Sequence, residues 1–523
     1  MNSNQNMMTK GRWLLILLAV LVAVVVGVMV GMQLDGTTSE PEPEPEPSAA
    51  MPDILDGWAG VTSDDPDFRL PVRVEITVPA SERYTPEHTV MPLINFTGIY
   101  STGVTGDLAF VDRELNVIPS PVGDVLNYLP VYDRFTGEPA CIALRGGEEH
   151  GYKFAFMHPN GAMATGFLYQ DYSQGDTANF ICVDGYVGVA SYTADYDLLG
   201  CGVLDLRTGE MTVPAIYDDV QLFRGAILAS KDGYCSLLDY AGAVLYDFGQ
   251  APDNDVSVYA NVRYTDAFDC LDFCGTGYNI RVDEHNGGIS VYKGEYAEKY
   301  ATLYPDRLII TTDTGPDWGD PRIFKIFDKS GKLLCEKSGF QLINDDNGNM
   351  IIAEYDNAAE AYLPVATVVT SAGDVLECPL PEDELWKMVY MRYEGGALVI
   401  PEDTDEVYEY GHVRSSFSGE WLVDDDGNPI TQPGQYAVIS ERGPFVIVSN
   451  YKDGEWGETV IEAVLALDGR VLIEKPLGAV YEFAFPDSLV VYTDAATCLM
   501  LYTDGTTKPI SGAPPVERLY IGG

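Results

Sequence analysis

The side chains best suited to chemistry in this sequence are a large surplus of carboxylates, five scattered histidines and one close cysteine pair. A calcium loop needs Asp or Asn at alternate positions leading into a Gly, because the ion takes about six to eight oxygens from a tightly turned backbone. Asp424 to Gly427 and Asp345 to Gly348 supply the last two of those positions, but Leu422 and Ile343 stand at the first. Both read as plain hairpin turns. Cys270 and Cys274 admit two site readings, a disulfide or half of a metal centre, yet they lack Cys-x2-Cys spacing and the nearest downstream imidazole is His285. Two unrelated buried thiols is the simpler account. It extends to the other cysteines, whose odd total of nine outlines no disulfide framework.

Nucleophilic and cofactor chemistry find little support. The G-x-S-x-G elbow, the H-E-x-x-H zinc helix and the Walker loop are absent. Gly275-Thr276-Gly277 begins like a dinucleotide fingerprint, but Ile280 stands where the third Gly belongs, and the stretch reads as a turn. His88, His150, His158, His285 and His412 are far apart and read as surface or turn residues, His158 opening a His-Pro-Asn-Gly turn. With 80 acids, a pair suited to glycoside hydrolysis has no preferred place, and Glu402, Asp403, Asp405 and Glu406 read as a solvated loop. The 33 Tyr fit glycan stacking and strand interiors equally. The sequence assigns no catalytic residue, no metal ligand and no cofactor, and leaves any ligand-binding residue unidentified.

The elements that would position a site begin with Trp13 to Met32, a run of 20 uncharged residues. At about 1.5 Å per residue it is long enough to cross a hydrocarbon core of about 30 Å. Lys10 and Arg12 precede it and Asp35 is the first acid after it, which predicts a single-pass cell-membrane anchor with residues 1–12 cytoplasmic and the bulk extracytoplasmic. The competing reading, a cleaved signal peptide, is weakened by the length and by the lack of an A-x-A-like site. Ser39 to Pro47, SEPEPEPEP, predicts an extended polyproline stalk within a linker over 33–56. Residues 57–523 read as one all-β body. Val72 to Val78 alternates strictly with period two, while Pro381 to Arg392 leaves helix and strand undecided. A net charge of −49 repels nucleic acid phosphates and anionic headgroups, leaving cationic partners open.

One unit recurs within the body. Residues Cys201 to Gly249 hold apolar runs that end in an Asp and a Gly-containing turn, with Pro214, Tyr217-Asp218 and Gly225 between them. Related turns stand at His158 to Gly161, Asp328 to Gly331, Asp424 to Gly427, Asp468-Gly469 and Asp504-Gly505, with weaker copies at Asp112, Gly287 and Gly373. From Gly209 to Gly505 the glycines recur about every 42 residues, in the range of a four-stranded propeller blade.

The stretch from Pro214 to Gly225, followed by Ser236-Leu-Leu-Asp239 and Gly242, resembles the WG (KWG) repeat. Cys201-Gly202, Cys235-Ser236, Phe154-Ala155 and Cys498-Leu499 stand where that family has Trp-Gly, and Trp421 lies one residue out of register. The resemblance implies a repetitive β architecture, often on bacterial envelope or secreted proteins, and implies no catalytic residues. One such unit cannot bury its apolar faces, so successive units must stack. The expectation is an all-β, repeat-built β-propeller of about seven or eight blades, closed by pairing of Glu517 to Ile521 with the strand near Val72. A β-solenoid or stacked-sheet array is the alternative.

These readings predict a noncatalytic, membrane-anchored binding or scaffold module of the cell envelope, with a protein or glycan partner on the extracytoplasmic side and no nucleic acid partner. Two alternatives stay open: a carboxylate-dependent hydrolase of cell-wall or extracellular glycan, and a sensor ectodomain working with a partner subunit.

Overall fold

A computed structural model describes residues 53–93, 108–169, 180–192, 198–250, 260–265, 270–283, 286–315, 320–345, 347–356, 361–380, 391–399, 408–410, 412–416, 419–424, 427–451 and 459–515. Packing separates two compact units. Unit one is built from Glu82–Ile216 and Asp405–Gly523, and unit two from Glu42–Ser81 and Tyr217–Thr404. Apart from two 3-10 turns, Ile54–Trp58 and Glu148–His150, every regular element among the described residues is a strand.

The localisation expected from the sequence is corrected: among the described residues no helix is long and apolar enough to cross a membrane. A helical span needs about 20 consecutive apolar residues, whereas the described chain is committed to strands. The run Trp13 to Met32 and the stalk Ser39 to Pro47 lie outside the described residues.

The Asp-to-Gly signal of the repeat is one turn geometry used many times. At Asp239, Asp328, Asp345 and Asp424 the Asp carbonyl accepts from the N–H of the Gly three residues on at 2.9 Å, and the Asp N–H donates one residue beyond that Gly at 2.9 to 3.0 Å. The Gly must take φ between 72° and 82°, a left-handed conformation that other residues adopt at a cost. Each Asp Oδ1 then accepts the N–H of the residue after the Gly, from Ala243, Lys332, Asn349 and Asn428 at 2.7 to 3.1 Å. In the turns Ala466 to Arg470 and Tyr502 to Thr506 the backbone bonds repeat, but the carboxylate has moved two residues along. Asp468 and Asp504 still accept from Arg470 and Thr506, at 3.0 and 2.8 Å. His158 to Ala162 achieves the same with Asn160 Oδ1 on the Ala162 N–H at 3.0 Å.

Among the described residues, unit one contains six antiparallel sheets of three or four strands, each a meander of neighbours in sequence. Sheets pack face to face through shared cores. Val131, Cys141 and Phe156 meet Val187, Val189 and Leu204, and Phe110 meets Tyr128 and Ile142. Met91 and Val111, from its first sheet, meet Phe485, Val490 and Met500 from its last. Cys201 and Cys498 here, and Cys235 in unit two, are 0 to 4 % exposed and serve as small core residues.

Unit two is organised differently. One sheet of ten strands runs from Ala260–Thr265 to Val375–Pro379, with four-stranded and two-stranded sheets beside it in sequence. Its continuity comes from long strands, Leu271–Asp283, Ile289–Leu303 and Leu333–Asn344, of 13, 15 and 12 residues. Bulges bend them at Cys274/Thr276 and Gly339/Leu342, so one strand serves two successive layers. Trp58 and Phe68, ahead of the repeats, plug the face lined by Leu271, Tyr296, Leu308 and Phe327.

No sheet among the described residues closes on itself. The expected closure is corrected at one partner, because Val72–Val74 pairs with Val291–Lys293 instead. Glu517 to Ile521 lies outside the described residues. Of the alternating run Val72 to Val78 only the first three residues join a ladder; Glu75 to Val78 stay extended, with Glu75 and Thr77 exposed and Ile76 and Val78 half-buried.

Candidate functional site

The residues singled out for chemistry do not converge. Cys270 and Cys274 belong to one extended segment, roughly 13 Å apart at about 3.3 Å per residue, well beyond the limit of about 7 Å for a disulfide. The nine cysteines carry no disulfide, and Cys270 Sγ instead approaches Asp272 Oδ2 at 3.9 Å. Gly275-Thr276-Gly277 is corrected from a turn to a β-bulge inside Leu271–Asp283, with Gly275 at φ 59°. His285 and the acids Glu402, Asp403, Asp405 and Glu406 lie outside the described residues. Among the described residues no group of three or more His, Cys, Asp or Glu side chains is placed to hold a metal ion.

The turns tested for calcium show why. Asp345 is buried and accepts from the N–H groups of Asn347, Asn349 and Tyr393 at 2.8 to 2.9 Å, and from the Asn349 side chain. Burial alone would raise its carboxyl, but these donors outweigh it and hold the group below the usual carboxylate range. Its lone pairs already face N–H dipoles, the opposite of a cation cage. Asp424 is committed in the same way to Asn428.

A polar constellation lies in unit one, around Tyr84. Strands Cys182–Val183 and Tyr186–Tyr192 are joined by Asp184-Gly185, both at positive φ (49° and 82°), the geometry of a tight hairpin. A Cβ on Gly185 would come within 2.6 Å of the Tyr84 ring, so Gly there admits the aromatic. Asp205 caps the Arg207 N–H at 2.9 Å. The Arg207 guanidinium donates to the carbonyls of Glu82 and Asp184 at 2.7 and 2.8 Å. It lies 5.1 Å from the Tyr84 ring centre and 5.4 Å from that of Tyr186, a cation between two aromatic rings. The Tyr84 hydroxyl stands 2.6 Å from His158 Nδ1.

Burial, with buried Cys141 and Cys182 nearby, pushes the Tyr84 phenol well above its ordinary range. Burial pushes the His158 imidazole down. The assignment that follows is a protonated phenol donating to Nδ1 of a neutral imidazole in the Nε2–H form. A nucleophilic tyrosine needs the reverse shift. The thiols are equally inert, Cys235 and Cys498 being pushed up to about 12 and Cys335 to about 11, by burial first. His88 is pushed down to about 4 by burial and by Arg113. His412 is oriented by Glu441, which accepts its backbone N–H at 2.8 Å and faces Nδ1 at 2.9 Å. The sequence reading named His158 as a turn residue but gave no signal for Tyr84, 74 positions away, because a segment without ladder partners has no period that reveals what it crosses.

No family model and no curated protein matches the chain. Among solved structures it is similar to PorZ, a bacterial surface component of the type-IX secretion system of Porphyromonas gingivalis, at 12% identity over 84% of this chain and 52% of that one, TM-score 0.19. It is also similar to Kluyveromyces lactis Hsv2, at 11% identity over 66% of this chain and 99% of that one, TM-score 0.18. The tricorn protease follows at 12% identity over 79% and 48%, TM-score 0.16. This chain thus spans about half the length of PorZ. At these TM-scores the likenesses bear on neither fold nor function.

Proposed function

We propose that this protein is a noncatalytic binding or scaffold module, its repeated sheets being degenerate WG-type blades in a propeller-like arrangement whose loops engage a protein or glycan partner. The observation that supports this reading is the state of the titratable groups. The half-buried Tyr84 phenol and His158 imidazole and the buried Cys235 and Cys498 thiols are driven toward their neutral forms, and the turn carboxylates of the repeat are occupied by backbone N–H groups. Catalytic sites characteristically shift groups toward reactivity at working pH. Connecting loops on a rigid β scaffold are, by contrast, the common seat of recognition.

The full chain, immobilised, should retain a discrete protein or polysaccharide from a panel of purified glycans and cell extract, with retention weakened by salt if the acidic surface contributes. Absence of any retained species, together with turnover of a glycan by the same preparation, would replace this reading with the hydrolase.

A further inference from the structure

We propose that Glu82–Val90 is an acid-released strap, held on unit one by the Tyr84–His158 contact and set free when His158 takes up a proton at Nδ1. The segment from Glu82 to Thr89 forms no regular element and joins no strand until Val90. Most of its anchors fall at one centre. Arg207 holds the Glu82 carbonyl, the Tyr84 ring covers Gly185 and Arg207, the Tyr84 hydroxyl meets His158, and the Pro159 carbonyl accepts the Thr89 and Val90 N–H groups at 3.1 Å each. Two contacts lie outside it: Arg83 with Glu138 at 3.4 Å joins two exposed side chains and contributes little, and His88 packs against the Phe485 ring with centroids 5.3 Å apart.

Protonating His158 acts on this centre in three ways. Nδ1 becomes a donor, so the phenol oxygen must accept and the phenol's own proton loses its acceptor. The half-buried ring must carry a charge with reduced hydration. That charge also arises on the His158 ring beside Tyr84, whose own ring already faces the Arg207 guanidinium. The other titratable or charged groups facing the pair from the packed elements are Glu82 on the strap, Cys141, Cys182 and Asp184 with Tyr186 on the neighbouring strands and hairpin, and Asp205 beside Arg207. Asp205 is already engaged by the Arg207 N–H and guanidinium. A base whose folded form favours the neutral state contributes stability above its ordinary range and loses it as pH falls through the lowered value. The strap is therefore closed at neutral pH and opens below the usual histidine range, exposing the Tyr186 and Arg207 surface. This goes beyond the binding reading and does not depend on which partner is bound.

Hydrogen exchange of the full chain, corrected for intrinsic pH dependence and read segment by segment, tests the device. Protection of amides in 82–90 should fall about tenfold for each unit by which folding lowers the imidazole, while strands Phe154–Met157 and Tyr186–Tyr192 keep theirs. H158N, an uncharged acceptor suited to the turn, should keep the strap protected at both pH values. Y84F, which retains the ring without the hydroxyl, should leave it open at neutral pH with no acid step. A wild-type strap whose protection ignores pH, or an acid step that persists in either variant, overturns the proposal.

Discussion

Units one and two use the same hairpin turn yet join their sheets by different means. In unit one each meander ends and the next begins separately, and buried polar side chains fasten neighbouring sheets. Asp133 accepts the Asp184 N–H across a sheet boundary, and Glu420 accepts that of Ile439. In unit two long bulged strands carry the backbone from layer to layer, and fasteners add to a ladder already continuous. Arg307 donates to the carbonyls of Val369 and Thr370 within that ladder, while Asp345, at its margin, accepts from Tyr393 of the separate two-stranded sheet. The difference teaches that the repeat specifies hairpins, while the residues between hairpins decide whether sheets are discrete or fused.

The largest expected effect breaks a fastener that serves three N–H groups at once. D133A leaves the N–H groups of Phe135, Thr136 and Asp184 without their carboxylate, and should destabilise unit one by about 3 kcal/mol, read from denaturant midpoints and exchange over 125–205. R307M removes two carbonyl partners in unit two but keeps the apolar stem, and should cost about 2 kcal/mol there. Equal shifts of both units by either substitution would erase the distinction between them.

A smaller effect tests the fused strand. A Cβ on Gly339 would stand 2.5 Å from the Ala353 carbonyl oxygen, so G339A should cost about 1.5 kcal/mol through the bulge of Leu333–Asn344. Segment-resolved exchange should locate that loss in Leu333–Pro379.

The fasteners should also respond to pH in opposite senses. Burial raises the Glu420 carboxyl despite the Ile439 N–H, so its contribution is present below the ordinary glutamate range and lost as pH rises through the raised value. Asp345, held low, contributes above the ordinary aspartate range and loses that as pH falls through the lowered value. E420Q should flatten the first dependence in unit one and D345N the second in unit two. Exchange that shows the same sign in both units would contradict the pairing described. The smallest change is expected at a turn: D239A uncaps Ala241 and Ala243, whose N–H groups water can reach, and should cost about 0.5 to 1 kcal/mol by thermal denaturation.

Much of the fold was legible in the sequence because its signals are local. A left-handed Gly, and an oxygen that reaches the N–H of the residue after it, are satisfied within five residues. Asp239 and Asp468 mark the same turn from two different positions, which is why the repeat looked degenerate in letters but recurs in geometry. Buried Cys201 and Cys498 were legible likewise, since an apolar run ending at such a turn has one face to bury. The candidate site was not legible. Tyr84 meets His158 and Arg207 across 74 and 123 positions, and Gly185 reveals its purpose only once the ring above it is in place.

The sequence by itself determined an all-β chain of repeated hairpins, because period-two alternation and turn chemistry act over a few neighbours. Only the tertiary structure decided which sheets share a core, that Val72–Val74 completes the edge at Val291–Lys293, that the chain divides into two units, and that the segment bearing Tyr84 locks onto His158. Those outcomes depend on apolar faces and buried hydrogen bonds meeting across tens to hundreds of residues, and no local pattern encodes where such surfaces meet.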